Sequence, residues 1–384
     1  MSNYAVIDIL YGDGGKGLVT DFLCARDMAR PLVVRFSGGQ QAGHTVVRDM
    51  VKHVFSNFGS GTLAGAPTYW SKQCTVDPVA VMRELKALLG YGIDPILYIN
   101  EHCPVTTPFD KAHNRRVANN GHGTCGVGVG ATIDREEKLY HLLAGDMRYE
   151  FVFRKKLEML RRNLYGIKNM TVEWQDEQDE FLSACMEMLR SPHISFVSKI
   201  PIWINESNMV FEGSQGLMLD PDIGFFPHVT RTHTGTLGVL GMCNDFTVYA
   251  VTRAYQTRHG NGPLSNEDKK YLIPHDRRET NVPNRWQGEF RRSMLDLDTM
   301  KYALGKDEYI RQTDRKVLVI TCLDHVKDNW AFTWGGEVVR FDNEADFVNK
   351  IACILDFSAA YVSHGPTAAD ISGFPVDRMR AVGL

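Results

Sequence analysis

A glycine-rich turn directly after the first apolar segment constrains the fold of this chain more than any other feature. Residues 4–10 form an apolar run interrupted only by Asp8, and residues 12–17 read Gly-Asp-Gly-Gly-Lys-Gly. Residues 18–29 then carry apolar side chains at helical spacing. A strand, a glycine turn and a helix in this order predict a phosphate-binding loop, because glycine N–H groups can approach phosphate oxygens and the helix N-terminus adds positive potential.

Short apolar strands and helices continue to alternate along the chain. Apolar runs predict strands at 31–36, 96–99, 209–211, 247–252 and 317–321, and a proline opens a predicted helix at 78–89. This alternation predicts an α/β fold with a central, mostly parallel sheet covered by helices. No linker or composition shift marks a boundary, so we expect residues 1–384 to form a single domain with a helical excursion at about 136–190.

Composition excludes several other classes of protein. The net charge of −3 gives no basic field for nucleic acid, and no apolar stretch approaches the about 20 residues that span a membrane. We expect no signal peptide, because the first residues run directly into a strand-like segment without a basic region and an apolar core. The eight cysteines include no C-x-x-C pair, which argues against a zinc site or a disulfide framework. We therefore expect reduced thiols in a cytoplasmic protein, or in the host cytoplasm if the source is viral.

Two glycine-rich loops carry the candidate catalytic residues. In the first, Lys16 offers a charge to phosphate, although Gly17 after it departs from the Walker pattern G-x-x-x-x-G-K-[ST]. Asp13 would repel phosphate unless it held a metal or took a proton, so it is a Mg²⁺ ligand, a base or an ordinary turn aspartate. In the second loop, residues 35–45, His44 is either a proton donor to an oxygen gaining charge or a solvated loop histidine.

Together the two loops resemble those of adenylosuccinate synthetase, which read G-D-E-G-K-G-K and G-G-x-N-A-G-H-T. The resemblance continues in register through residues 53–61, 211–220, 227–230, 254–263, 321–324 and 363–366. It implies a P-loop-related fold and a homodimer. It also implies a ligase that uses GTP to join L-aspartate to C6 of a 6-oxopurine nucleotide through a 6-phosphoryl intermediate. The products would then belong to purine biosynthesis.

The resemblance also implies roles for individual residues. Asp13 takes the N1 proton of the purine, His44 stabilises charge on the β,γ-bridging oxygen or on O6, and Lys16 holds phosphate. The GTP-binding residues would be Gly12, Gly15, Lys16, Gly17, Gly43, His44, Thr45, Asp324, Ser363, Gly365 and Pro366. The purine monophosphate would contact Asp13, Gln41, Thr124, Cys125, Gln215 and Thr230. Mg²⁺ would be bound by Asp13 and the carbonyl of Gly43.

Asp324 bears on the choice of nucleotide. Guanine presents N1–H and a 2-amino group side by side, and one carboxylate can accept both hydrogen bonds. Adenine lacks this pair of donors, so a carboxylate left without a partner disfavours ATP. Asp324 is therefore either a guanine-reading residue or a surface aspartate after a strand.

The chain departs from the family pattern at five places. Gly14 replaces the loop glutamate, and Cys322 replaces a lysine beside the guanine-binding aspartate. Cys125 replaces a phosphate-binding threonine, a role for which Thr124 is the substitute candidate. The arginine that the family supplies from the neighbouring subunit has no clear match, and Arg135 is the nearby candidate.

The fifth departure is the amino-acid loop at 280–296, which is longer than the family's T-T-G-R-x-R-R-x-G-W-x-D. The candidate residues for binding carboxylates are Thr280, Asn281, Arg285, Arg291 and Arg292. Glu289 would repel a second carboxylate unless it pairs with an arginine. The alternative is a structural loop with solvated charges.

These observations leave three functions open. The first is an adenylosuccinate synthetase that converts IMP, and the second is a phage-type variant that converts dGMP to 2-aminodeoxyadenylosuccinate or uses another amino acid. Phage enzymes of this type can lack the catalytic and guanine-reading aspartates, so Asp13 and Asp324 argue against that extreme form. The third is a nucleotide-binding regulator without turnover, against which the pair Asp13 and His44 argues, because binding alone requires neither a base nor an acid.

Overall fold

The computed structural model describes residues 2–26, 31–118, 124–200, 208–269, 271, 279, 281, 286–327 and 329–378. The strands of this part of the chain are β1 (Tyr4–Asp8), β2 (Leu32–Arg35), β3 (His44–Arg48), β4 (Val51–Phe55), β5 (Thr68–Trp70), β6 (Leu97–Asn100), β7 (Ile194–Val197), β8 (Met209–Glu212), β9 (Thr247–Arg253), β10 (Gln256–His259), β11 (Phe290–Ser293), β12 (Leu295–Asp296), β13 (Lys316–Thr321), β14 (Trp330–Trp334), β15 (Glu337–Phe341), β16 (Ala360–Ser363) and β17 (Ile371–Phe374).

The α-helices of the same residues are α1 (Lys16–Arg26), α2 (Pro78–Gly90), α3 (Pro108–Ala118), α4 (Val129–Glu137), α5 (Glu150–Met159), α6 (Val172–Arg190), α7 (Leu237–Leu240), α8 (Leu297–Lys306), α9 (Glu308–Gln312), α10 (Leu323–Val326) and α11 (Glu344–Ile354). Short 3₁₀ turns lie at Thr62–Ala64, Ala144–Arg148, Leu217–Leu219 and Ala368–Asp370, and a π turn at Leu160–Leu164. None of these described helices combines the length and the apolar character needed to cross a membrane.

The central sheet has ten strands among the described residues, in the order β17-β16-β13-β9-β1-β8-β2-β5-β6-β7. Neighbouring strands run parallel except at one edge, where β17 pairs antiparallel with β16. The predicted α/β fold with a mostly parallel sheet is therefore confirmed. Because the carboxyl ends of parallel strands share one edge, the loops after β1, β2, β8, β9 and β13 converge there.

Apolar residues cover both faces of the sheet, which explains why its strands read as continuous apolar runs. In β1, Ala5 and Ile7 pack into one core cluster and Val6 into another on the opposite face. The second cluster includes Leu18 and Phe22 of α1, so this helix covers the sheet beside the glycine turn.

The segment predicted as a helical excursion contains α5, α6 and the π turn, with a 3₁₀ turn before them. Its apolar side chains, including Phe153, Leu157, Phe181 and Met188, pack in a separate core cluster with residues of α2 and β6. That the chain forms a single domain stays a prediction.

Candidate active site

The carboxylate of Asp8 shapes the first glycine-rich loop. Asp8 is buried, and its Oδ1 accepts hydrogen bonds from the N–H groups of Leu10 (2.9 Å) and Gly12 (3.0 Å), while its Oδ2 accepts one from Gly14 (2.5 Å). These bonds turn the chain away from the sheet, so β1 ends at Asp8 and not at Leu10 as the apolar run predicted. A Cβ on Gly14 would lie 2.5 Å from Asp8 Oδ2, which explains the glycine where the family pattern has glutamate.

Lys16 is the first residue of α1 and is almost fully buried. Its Nζ donates a hydrogen bond to the carbonyl oxygen of Gly12 (2.6 Å) and lies 3.8 Å from Asp8 Oδ2. Burial lowers the pKa of Lys16, and the carboxylates of Asp8 and Asp13 oppose this effect. The carbonyl oxygen of Gly12 and the carboxylate of Asp8 therefore fix the position of the Lys16 side chain within the loop.

The two glycine-rich loops touch at Gly17. A Cβ on this residue would lie 2.8 Å from the Cβ of His44, so only glycine permits the contact. His44 begins β3, and its Nδ1 lies 2.6 Å from Oε1 of Glu212, the last residue of β8. The contact with Glu212 therefore fixes the imidazole of His44 beside the first glycine-rich loop.

Glu212 is a fully buried carboxylate with several partners. Ser60 donates hydrogen bonds to it from its N–H (3.0 Å) and its hydroxyl, and Arg35 Nη1 lies 3.9 Å away. Burial favours the neutral acid, but His44, Arg35 and Ser60 outweigh it and lower the pKa of Glu212 to about 2. Burial also lowers the pKa of His44 to about 4, against the pull of Glu212. The ionised carboxylate consequently accepts the Nδ1 proton of a neutral imidazole.

Lys16, Gly17 and His44 line a first cavity at the carboxyl edge of the sheet. Every predicted GTP-binding residue lines it except Ser363, which is buried and donates to the carbonyl oxygen of Gly365 (2.9 Å). Asp13 and His44 share this cavity, and Asp324, Cys322 and His325 line it as well. The sequence therefore identified residues that the fold does bring together.

Asp13 lies in this cavity with its backbone oxygen accepting a hydrogen bond from Arg253 Nε (2.6 Å). Burial raises the pKa of Asp13, opposed by the charges of Arg253, His259 and Lys16. Arg253 also donates to Glu279 (2.7 Å), a half-buried contact that the sequence did not single out. Asp13 is half-buried, and a carboxyl group whose pKa is raised accepts a proton more readily than an ordinary aspartate.

A second cavity holds the residues predicted to bind the purine monophosphate. Gln41, Thr124, Cys125, Gln215 and Thr230 all line it. Burial raises the pKa of the Cys125 thiol, so this residue is a neutral group in the cavity wall.

The two cavities meet at two contacts. His259 lines the second cavity, and its Nε2 lies 4.0 Å from Oδ2 of Asp13 in the first. A Cβ on Gly12 would lie 2.8 Å from Cα of Gln215, so the backbones of these two residues, one from each cavity wall, pack directly against each other. Asp13 therefore stands where ligands in the two cavities would approach each other.

The predicted amino-acid residues are distributed differently. Thr280 and Arg285 lie outside the described residues. Asn281 lines the first cavity and donates to Glu279 (2.9 Å), so it stands beside Arg253. Arg292 pairs through its backbone with Thr257 in the β10–β11 hairpin and lines neither cavity.

Arg291 braces the loop next to the same hairpin. Its Nε and Nη2 donate to the carbonyl oxygens of Gly260 (3.0 and 2.7 Å) and Gly262 (2.7 Å), and its Nη1 donates to both oxygens of Glu267 (3.0 and 2.9 Å). Every guanidinium nitrogen is thus engaged within the loop, which favours the structural interpretation for this residue over carboxylate binding.

The prediction that Arg135 is a phosphate-binding arginine is wrong. It is buried in the core, where it donates to Asp110 (3.1 Å), Glu136 (2.7 Å) and the carbonyl oxygens of Tyr140 (2.6 Å) and Val105 (2.7 Å). An arginine with these partners ties α4 to α3, and its burial keeps the guanidinium away from any ligand.

Comparisons with known proteins agree with this arrangement. The family model described as adenylosuccinate synthetase matches residues 5–371. The adenylosuccinate synthetase of Thermus thermophilus is 30% identical over 339 residues, which cover 85% of this chain and 81% of that protein. The enzyme of Francisella tularensis is 29% identical over 368 residues, covering 88% of this chain and 83% of that protein.

Two solved structures share the fold. One is the fully ligated adenylosuccinate synthetase of Plasmodium falciparum, with a TM-score of 0.79 and 18% identity over 97% of this chain and 99% of that chain. The other is the succinoaminodeoxyadenylate synthetase of cyanophage S-2L, bound to dGMP and to dATP as an energy donor. It has a TM-score of 0.64 and 16% identity, over 100% of this chain and 98% of that chain.

The family match extends from β1 to β17 and takes in both glycine-rich loops and the loops that line the two cavities. On this evidence the chain belongs to the adenylosuccinate synthetase family of ligases that form carbon–nitrogen bonds.

Proposed function

We propose that this protein uses GTP to join L-aspartate to C6 of a purine monophosphate, with IMP as the substrate and adenylosuccinate as the product. The observation that carries the proposal is the position of Asp13. It shares the first cavity with Lys16 and His44, and it approaches the second cavity through His259 at 4.0 Å. A triphosphate in the first cavity and a purine in the second would meet at this carboxylate.

The chemistry follows from these positions. Asp13 takes the proton from N1 of the purine, and the electron pair released makes O6 a nucleophile. O6 attacks the γ-phosphorus, the bond to the β,γ-bridging oxygen breaks, and GDP leaves. His44 and Lys16 stabilise the charge that develops on the phosphates, which is the main contribution a protein makes to phosphoryl transfer. The amine of aspartate then displaces phosphate from C6.

The first cavity also fits a magnesium ion. Mg²⁺ prefers oxygen ligands and needs few from the protein, because nucleotide phosphates and water complete its coordination. The Asp13 carboxylate and the Gly43 carbonyl are oxygen donors on the wall of one cavity. Magnesium held there would neutralise part of the triphosphate charge.

Replacing Asp324 with asparagine is expected to change which base the first cavity accepts. Asp324 lines this cavity, where a carboxylate can accept both guanine donors. An amide accepts one and donates one, so kcat/KM with GTP should fall about tenfold or more. XTP carries a carbonyl at C2 and should regain the loss. Initial rates with GTP, XTP and ATP measure this, and an unchanged order of preference contradicts the assignment.

A second candidate substrate is dGMP. The side-chain oxygens of Gln41 and Gln215 on the second cavity are buried without a hydrogen-bond partner among the described residues. IMP offers N1–H as a donor, whereas guanine adds a 2-amino group that would satisfy a second acceptor. The fold likeness to a phage enzyme bound to dGMP is in keeping with this alternative.

Phosphate release from GTP in the presence of aspartate separates these functions. The assay compares IMP, dIMP, GMP and dGMP at equal concentrations, with the purine omitted as control. We expect IMP to give the highest kcat/KM. A preference for dGMP would establish the second candidate, and absence of release with every purine and amino acid would favour a regulator without turnover.

We further propose that the protein is a homodimer with small molecules as its ligands, and that it works in the cytoplasm, where nucleotides and reducing conditions coincide. All eight cysteines are free thiols, in keeping with a reducing compartment. Sedimentation equilibrium tests the dimer, and a single species of monomer mass would contradict it.

A further inference from the structure

Arg231 stands on the wall of the second cavity directly after Thr230. More than half of its side chain is exposed, at 56%, and its Nε lies 3.2 Å from Oδ1 of Asp134 in α4. A Cβ on Gly130 would lie 4.0 Å from Arg231 Cγ, so the arginine stem passes over the first turn of α4. The stem of Arg231 therefore lies against the first turn of α4, and its guanidinium lies beside Asp134 in the second turn.

The other cation of this cavity is already engaged. Among the described residues that line it, only Arg231 and Arg258 carry a permanent positive charge. Arg258 is buried and donates to the carbonyl oxygens of Asn261 (3.2 Å), Pro263 (2.8 Å) and His228 (3.1 Å). Its guanidinium also lies over the ring of Tyr11, at 4.5 Å from the centroid. Arg258 thus supports the loops and leaves Arg231 as the cation that can reach a ligand.

The surroundings of Arg231 suit a phosphate group. Helix α4 begins after Gly128, which has a φ of 90°, and no side chain in the described part of the protein caps its first N–H groups. Val129, Gly130 and Ala131 from its first turn line the cavity. Unpaired N–H groups at the start of a helix, a hydroxyl and an arginine are the donors that bind phosphate in proteins.

We propose that Arg231 binds the 5′-phosphate of the purine nucleotide from within the same subunit, and that Asp134 holds it in position until the phosphate displaces the carboxylate. This inference rests on the proposed function, because it assumes that the second cavity takes a purine monophosphate. In this role Arg231 takes the place of the arginine that the family pattern supplies from a neighbouring subunit. A surface ion pair of this kind contributes little to stability, so its exchange for a dianion is favourable.

Kinetics of three variants test this assignment. We expect R231M to raise KM for the purine monophosphate about tenfold or more, since a hydrogen bond to a charged group is lost. KM for GTP should not change. R231K keeps a charge without the planar fork and should lie between R231M and wild type. R154M is the matched control, because Arg154 is equally exposed at 53% and pairs with Glu150 on a distant helix.

Asp134 supplies a second, independent measurement. D134N removes the competing carboxylate, so it should lower KM for the monophosphate in the wild-type background and leave it unchanged in R231M. The corresponding purine nucleoside lacks the phosphate, and its competitive inhibition constant should be the same for wild type and R231M. Equal KM values for R231M and wild type, or an equal loss of nucleoside binding, would overturn the inference.

Mixed subunits decide which subunit supplies the arginine. D13N and R231M are denatured together, refolded and assayed. At a purine monophosphate concentration far below the KM of R231M, an arginine that serves its own subunit leaves the mixture no more active than the mean of the separate variants, whereas activity above that mean would show that Arg231 acts across an interface. If the wild type releases no phosphate with any purine, the proposed function fails. If it turns over and R231M matches it, only this inference fails.

Discussion

D13N is expected to reduce kcat for phosphate release by at least about 10²-fold, the usual contribution of a positioned general base. Asparagine has nearly the same shape as aspartate but cannot take the N1 proton of the purine. The hydrogen bond from Arg253 goes to the backbone oxygen of Asp13 and is retained, so the loop should keep its conformation. Single-turnover phosphate release at saturating substrates measures the chemical step directly.

Thermal unfolding distinguishes this loss from damage to the fold. Burial raises the pKa of Asp13 above its value in the unfolded chain, so ionised Asp13 costs stability as the pH rises through that pKa. The variant has no carboxyl group to ionise, and at neutral pH it should be at least as stable as the wild type. D94N, at an exposed aspartate, is the control. Retention of kcat in D13N would exclude Asp13 as the base.

H44N is expected to reduce kcat by about 10² to 10³-fold, as for other donors that stabilise developing negative charge. The imidazole lines the first cavity beside Lys16, and Nδ1 is committed to Glu212 at 2.6 Å. Asparagine is too short to keep both the contact with Glu212 and the position in the cavity. KM for GTP should change much less than kcat, because Lys16 and the glycine N–H groups still hold the phosphates.

Substitutions of Glu212 separate the effect of H44N on activity from its effect on stability. H44N leaves a buried carboxylate with one partner fewer, which destabilises the fold. H44N/E212Q removes that charge, although it also takes the carboxylate from the buried Arg35. Measured against E212Q, the double variant should lose little further melting temperature and should not regain kcat. E212Q alone keeps the imidazole but loses the charge that orients it, so its kcat should lie between those of H44N and the wild type. If H44N/E212Q also regained kcat, the role of His44 would be structural.

The site shows how far local patterns reach. The two glycine-rich loops were identifiable because glycines at a strand end have few structural uses other than a close approach. Their convergence followed from the rule that parallel strands present their carboxyl ends at one edge. Every residue predicted to bind the purine, apart from Asp13 of the first loop, lines the second cavity. All but one of the residues predicted to bind GTP line the first cavity.

The partners of charged side chains were not predictable in the same way. Asp8 was visible as the single charged residue in an apolar run, but its bonds to Gly12 and Gly14 depend on the path of the loop. Arg135 and Arg291 carry the charge that a ligand site needs, and the fold uses both for internal contacts.

The sequence by itself determined the α/β class, six of the ten central strands that the structure describes and the two loops, because these depend on apolar periodicity and glycine placement over a few residues. Only the tertiary structure decided which charges face a ligand. His44 and Glu212 are separated by 168 residues, and Arg231 and Asp134 lie on different elements. The sequence around a charged residue is the same whether its side chain is buried in the core or faces a cavity. Only its neighbours in the three-dimensional structure distinguish these two positions.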